Sequence, residues 1–315
     1  MDTQDDSKSS HYDSRLPAQL LRRSLLLWSL SLGVSSMSDI GGMPILDNPF
    51  LGIFFGSQNQ STATAIGGSN QPMRIMHAPS HINKDLVKSL KSIERINPVA
   101  FGRTEMHIGD SIAVMRRELG GKYRICIDSN PHPNSQENPI GLRRQNDVHF
   151  QSSKLFQLSE NIPGKGWGND RWLNIVKFTY YGDPYFYMAT HWNAVLQHRP
   201  LGQLIDGPRT TAMIRAYQII KREGELLLKE GRQGYLSGDF NYFHPHAGVP
   251  LWKYSPQNLF MDLNMKFHEE GVDYLGWTAG LHQTSPIRVI RKGTQIDPSD
   301  HPWIVGHFAR KERKK

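Results

Sequence analysis

The chain has 315 residues, 38% hydrophobic and 21% charged, enough for one large domain or two small ones and unlike a disordered protein. A net charge of +8 and a pI near 9.5 favour a polyanionic partner, nucleic acid first and anionic lipid second. The single cysteine, Cys126, excludes an intramolecular disulfide and a cysteine-built zinc site, and no run approaches the roughly 20 apolar residues of a membrane-spanning helix.

Residues 1–36 read as a disordered or signal-like segment. The first twenty are polar and serine-rich, and Arg22-Arg23 then precede an apolar run from Ser24 to Val34. Three readings compete for that run: a secretory signal, a true start at Met37 or later, and a peripheral helix packed on the domain. The expected location is cytoplasmic, or secreted if residues 22–36 act as a signal. Residues 37–72, rich in Gly, Ser and Asn, read as a linker.

From residue 73 to 309 the pattern is that of one α/β domain. Met73-Arg74-Ile75-Met76-His77 predicts a strand, and residues 84–96, with Leu86, Leu90 and Ile93 at helical spacing, a helix stopped by Asn97-Pro98. Residues 99–105 predict a buried strand ending in Glu105. A second helix is expected over 111–119, then strands over 123–128, with Cys126 as core filler, and 147–156. Gly164-Lys165-Gly166-Trp167-Gly168 lacks both the Walker and the dinucleotide pattern. Strands 171–181 and 185–191 read as a hairpin around Gly182-Asp183-Pro184, running into Thr190-His191.

The strongest helix is 210–229, with Met213, Ile214, Tyr217 and Ile220 in one stripe. It leads into Tyr235-Leu236-Ser237-Gly238-Asp239-Phe240-Asn241. If that stretch is extended, its period of two sets Asp239 and Asn241 on one face and Phe240 on the other, while Gly238 allows a close neighbour. A strand running into an Asp/Asn turn is the competing local reading. Residues 258–270 read as partly helical, 272–276 and 287–291 as strands, and 302–308 as a last strand before the basic tail 310–315. Trp192, Tyr242, Phe243 and Trp277 read as core before base-stacking residues, and His244 and His246 as a rim pair.

Thr104-Glu105, Thr190-His191, Gly238-Asp239-Phe240-Asn241, Val272-Asp273-Tyr274 and Ser299-Asp300-His301, in that order, resemble the motifs of the endonuclease/exonuclease/phosphatase family. Its members include pancreatic-type deoxyribonucleases, abasic-site endonucleases, sphingomyelinases and inositol polyphosphate phosphatases. The resemblance implies a deoxyribonuclease-like four-layer sandwich, two mixed β-sheets flanked by helices. It also implies a divalent-metal-dependent phosphodiesterase, with Glu105 and Asp300 as ligands for Mg²⁺ or Mn²⁺. His301 would be the base or the phosphate-facing imidazole, oriented by Asp273. Asp239 would position the attacking water, and Asn241 and His191 would donate to phosphate oxygens. The family's first strand normally ends in an asparagine that helps hold the metal. Here that place reads His77-Ala78-Pro79-Ser80-His81-Ile82-Asn83, which leaves Asn83 as the substitute and His77 and His81 as structural histidines. The expected activity is a nuclease acting on DNA. The alternatives are a phosphatase or phospholipase-type hydrolase of the same family, or a non-catalytic nucleic-acid-binding or virion-type module with the same fold.

Overall fold

The computed structural model describes residues 70–80, 85–107, 110–127, 136–160, 170–193, 208–242, 252–291 and 301–312. Segment 1–36, linker residues 37–69, the glycine-rich loop at 164–168, and His81, Asn83, Phe243, His244, His246 and Asp300 lie outside them.

Among the described residues two six-stranded sheets and four helices make up the domain. The first sheet has the order β13 (Leu281–Ile290), β14 (Trp303–Arg310), β1 (Met73–His77), β2 (Ala100–Gly102), β6 (Ile140–Arg143), β4 (Tyr123–Cys126). The second runs β11 (Met265–Glu270), β12 (Asp273–Thr278), β10 (Gln233–Asp239), β9 (Asp183–His191), β8 (Arg171–Tyr180), β7 (Val148–Ser159). A short pair, β3 (Met106–His107) and β5 (Gln136–Glu137), stands apart. Each large sheet is mixed: β1 with β2 and β9 with β10 are parallel, and the other neighbours antiparallel.

Three apolar layers hold the sandwich together. Ile75, Leu142, Val176, Tyr187, Tyr235, Leu275 and Phe308 fill the space between the sheets. Helices α1 (Leu86–Ile96) and α2 (Asp110–Leu119) cover the first sheet through Leu90, Ile93, Ile112 and Met115. Helices α3 (Pro208–Lys229) and α4 (Pro256–Asp262) cover the second through Met213, Tyr217, Ile220, Leu259 and Phe260. The expected order of layers, helix, sheet, sheet, helix, is therefore present. Helix ends follow local chemistry: Asp85 caps α1 by accepting from the Lys88 N–H at 3.0 Å, and Asn97 ends it in the left-handed region.

Two local expectations need correction and two are narrowed. The β8–β9 hairpin turns on Tyr181-Gly182, both at positive φ, so Asp183 and Pro184 belong to the strand; a two-residue turn of this hand matches the strand twist. Segment 258–270 splits into α4 and β11, because Met265 and Phe267 alternate toward the helix-covered face with period two. Strand β13 starts at Leu281 rather than 287. Its first half is an exposed edge with a register shift and Pro286, so it shows no apolar alternation. Finally β10 ends at Asp239, and Asn241, at φ 50°, turns out of the strand, so of the two readings of this stretch the Asp/Asn turn holds.

Candidate active site

Strand parity decides which side chains reach the cleft between the sheets. On β9, Tyr185, Tyr187 and Ala189 enter the inter-sheet core while Phe186 and Met188 pack under the helices, so the same alternation carries His191 to the inter-sheet side at the strand's end. Tyr235 and Leu236 set the same phase on β10 and deliver Asp239, and Leu275 and Tyr274 set it on β12 and deliver Asp273. Across the cleft, Ile75 and Met76 fix the phase of β1, which ends at His77. Registers bring three of these ends side by side, with Asp239 opposite His191 on one flank and Asp273 on the other.

Gly238 makes that alignment feasible. A Cβ there would lie 2.4 Å from the Thr190 carbonyl oxygen, so the two parallel strands close only over a glycine.

Asp273 is buried and accepts from two imidazoles, Nε2 of His77 at 2.9 Å on one oxygen and Nδ1 of His301 at 2.8 Å on the other. Both histidines come from the first sheet, one at the end of β1 and one just before β14. Burial opposes ionisation of Asp273, but the bonds from His301 and His77 prevail and hold its carboxyl below the usual range. Burial also opposes charge on His301. The bond to Asp273, with the Asp273, Asp239 and Glu105 charges, nevertheless raises its pKa to about 10.

His191 faces some of the same carboxylates and responds oppositely. Burial, then the Arg171 guanidinium and the neighbouring His301 and His77, push it well below 6.5. Arg171 lies 2.8 Å from Nδ1, and a guanidinium only donates, so Nδ1 accepts and Nε2 carries the proton. That N–H lies 3.6 Å from Asp239 Oδ2 and 4.0 Å from Glu105 Oε1. Arg171 also donates to Asn193, which donates to Ser159, so the base of the site is one hydrogen-bonded chain.

Asp239 Oδ1 accepts the Asn241 N–H at 2.8 Å, and Asn241 Nδ2 donates to the Trp192 carbonyl at 2.7 Å, a local Asx-type turn rather than an extended pair. Burial, then the Asp273 charge, outweigh the His301 attraction, and with Glu105 adding repulsion they raise the Asp239 pKa well above the carboxylate range. Glu105 follows β2 at φ 60°, an uncommon conformation for a non-glycine residue that aims it at His191.

Of the sequence-predicted set, Glu105, His191, Asp239, Asn241, Asp273 and His301 converge at one end of the sandwich. His77, expected to be structural, bonds directly to Asp273, and its Nδ1 is buried without a partner among the described residues. Arg171 was missed entirely. Trp192, Tyr242 and Trp277 are buried core residues, as expected.

Ligand atoms of Glu105, His191 and Asp239 lie within 4.8 Å of one another, as do those of Asp239, Asp273 and His301. Three carboxylates gathered at one site, with Asp239 pushed up first by burial and then by its acidic neighbours, form a donor set that fits a hard divalent cation. The proton on His191 Nε2 makes that residue a donor rather than a ligand, and leaves Glu105 as the carboxylate of that group with no catalytic role other than holding a cation.

No family model matches the sequence, and no curated protein matches it. Solved structures do. An endonuclease/exonuclease/phosphatase from Bacteroides vulgatus matches with TM-score 0.55 at 15% identity over 76% of this chain and 100% of its own. A mannosyl-6-phosphatase from Bacteroides thetaiotaomicron matches with TM-score 0.54 at 14% identity, covering 75% and 99%. TDP2 from D. rerio, complexed with a single-strand DNA product, matches with TM-score 0.51 at 12% identity, covering 76% and 99%. Two mixed sheets, two outer helical layers and these neighbours give the chain the fold of the endonuclease/exonuclease/phosphatase structures.

Proposed function

We propose that the protein is a divalent-metal-dependent phosphodiesterase, using Mg²⁺ or Mn²⁺, and that it acts as a nuclease on DNA. The supporting observation is the meeting of Glu105, His191, Asp239, Asp273 and His301, from five separate strand ends, at one end of the inter-sheet cleft. A cation held by Glu105, with Asp300 and Asn83 as further ligands, would supply positive charge to the non-bridging and leaving oxygens. Asp239, as the carboxylate between His191 and His301, orients the attacking water and takes its proton as the new P–O bond forms in line with the bond that breaks. His191 Nε2–H and the Asn241 amide donate to the phosphoryl oxygens as their charge grows. His301, with Nδ1–H fixed by Asp273, turns Nε2 toward the phosphate as an imidazolium.

DNA is favoured over small phosphoesters by the +8 charge, and the structural neighbour TDP2 is complexed with single-strand DNA. The mannosyl-6-phosphatase neighbour supports a second reading, a phosphomonoesterase with the same site. Incubation of supercoiled plasmid with purified protein decides between them. Nicking that requires divalent metal and is lost with EDTA and in His301→Ala is expected. Intact plasmid together with phosphate release from sugar phosphates would establish the second reading, and neither reaction would overturn both.

A further inference from the structure

A second site lies at the opposite end of the sandwich. Ile140 of β6 pairs with Gly102, three residues before Glu105, and the strand then runs away from the candidate active site to Arg143, roughly 10 Å further at ~3.3 Å per residue. There a cavity of about 340 Å³ opens between β4, β6 and β7, lined by Arg124, Arg143, Arg144 and Phe150 among others. Arg124 is exposed, with its guanidinium carbon 3.7 Å from the Phe150 ring centroid. Arg144 spends one N–H on the Gly120 carbonyl. Arg143 makes one long bond to the Asn97 carbonyl, and its Nε is buried with no partner among the described residues.

Three guanidinium groups around one cavity repel one another, and none is in an ion pair with a carboxylate among the described residues. Asp147, in the adjacent turn, does not line the cavity. Such an arrangement is stabilised by an anion with several acceptor oxygens, for which arginine's fork is suited. The aromatic wall adds a second feature, since an exposed guanidinium held over a ring offers its other face to a base.

We propose that this cavity binds the phosphodiester backbone of single-stranded nucleic acid, as an anchoring site remote from the active site. The choice of polymer rests on the nuclease reading. The binding itself is measured without turnover, so the two can fail separately.

The experiment titrates a fluorescently labelled single-stranded DNA with the full chain in EDTA, following anisotropy across a range of salt. Replacing both Arg143 and Arg144 by Gln should lower the log–log salt slope by about 1.4, from ~0.7 per phosphate contact, and weaken Kd about tenfold near 0.15 M salt. Arg124→Gln with Arg144→Gln, both exposed, tests the same prediction without touching the half-buried Arg143. Turnover of a small chromogenic phosphodiester should be unchanged in both variants. Unchanged Kd and slope in both would overturn the proposal, as would weakening that does not depend on salt. Absent turnover with the expected binding losses would leave the anchoring site standing and sink only the catalytic reading.

Discussion

Two histidines at this site share the Asp239 carboxylate and are driven in opposite directions. His191 has a guanidinium at its back and is held neutral, whereas His301 has Asp273 at its back and is held as the imidazolium. Environments that separate two otherwise equal groups assign their roles, one a neutral donor and the other a cationic one. Between them Asp239 carries a charge the folded, metal-free protein disfavours. Asp239→Asn should therefore abolish turnover yet stabilise the metal-free protein, by roughly 2–4 °C in Tm for each ~1 kcal/mol of relieved repulsion. Asparagine keeps the oxygen that accepts the Asn241 N–H. A lower Tm in EDTA, or normal turnover, would refute the argument. These acids and histidines were legible in sequence because each sits in a short motif at a strand end. Arg171 was not: a buried arginine that fixes an imidazole 20 residues away has no local signature, and only the hairpin register places it there. His77 was visible but undervalued, since its partner Asp273 is 196 residues distant.

At the scale of elements, the two sheets are tied directly behind the site by one hydroxyl. Tyr187 on β9 donates to the Met76 carbonyl at 2.8 Å, accepts the Gly102 N–H at 3.0 Å and shares a bond with Ser237 Oγ at 2.8 Å. Its ring fits because position 102 is glycine; a Cβ there would lie 2.9 Å from both the ring and Ser237 Oγ. Tyr187→Phe removes the hydroxyl that bridges these groups, for an expected loss of about 1 kcal/mol, and loosens the strand that leads to Glu105. Denaturant unfolding and kcat should fall together; wild-type values for both would show the tie to be dispensable. Further along, Arg74 on β1 donates to Nε2 of His307 on β14 at 2.7 Å, which leaves Nδ1–H to donate to Ser285 Oγ at 3.0 Å. Burial and then the Arg74 charge hold His307 below 6.5. An unfolded chain therefore takes up this proton first, so stability present above 6.5 is lost as pH falls below it. Tm should drop between pH 7 and pH 5, and drop less in His307→Gln; equal slopes would exclude the β1–β14 pair as the cause. The strands themselves were legible wherever one face is apolar. The errors fell at Asp183-Pro184, at residues 263–270 and on the edge strand β13, where turn geometry or edge exposure outweighs the apolar pattern.

Over the whole molecule, composition anticipated a basic domain with a large core but carried no information on where its charge would gather. The arginines of the β4–β6–β7 cavity are separated by up to 20 positions in sequence and meet only because β4 and β6 are neighbours. The layered architecture was readable from the order of motifs, and the geometry between layers was not, because inter-sheet contacts are set by side-chain packing rather than by any local period. That packing divides the candidate site between the layers. Glu105, His77 and His301 ride on one sheet, while His191, Asp239, Asn241 and Asp273 ride on the other, so neither sheet holds a working set. On the proposed hydrolase reading, competence is a property of alignment: a shear of one sheet over the other, small enough to leave every strand paired, would part Asp273 from both its imidazoles and silence the site while the fold persists.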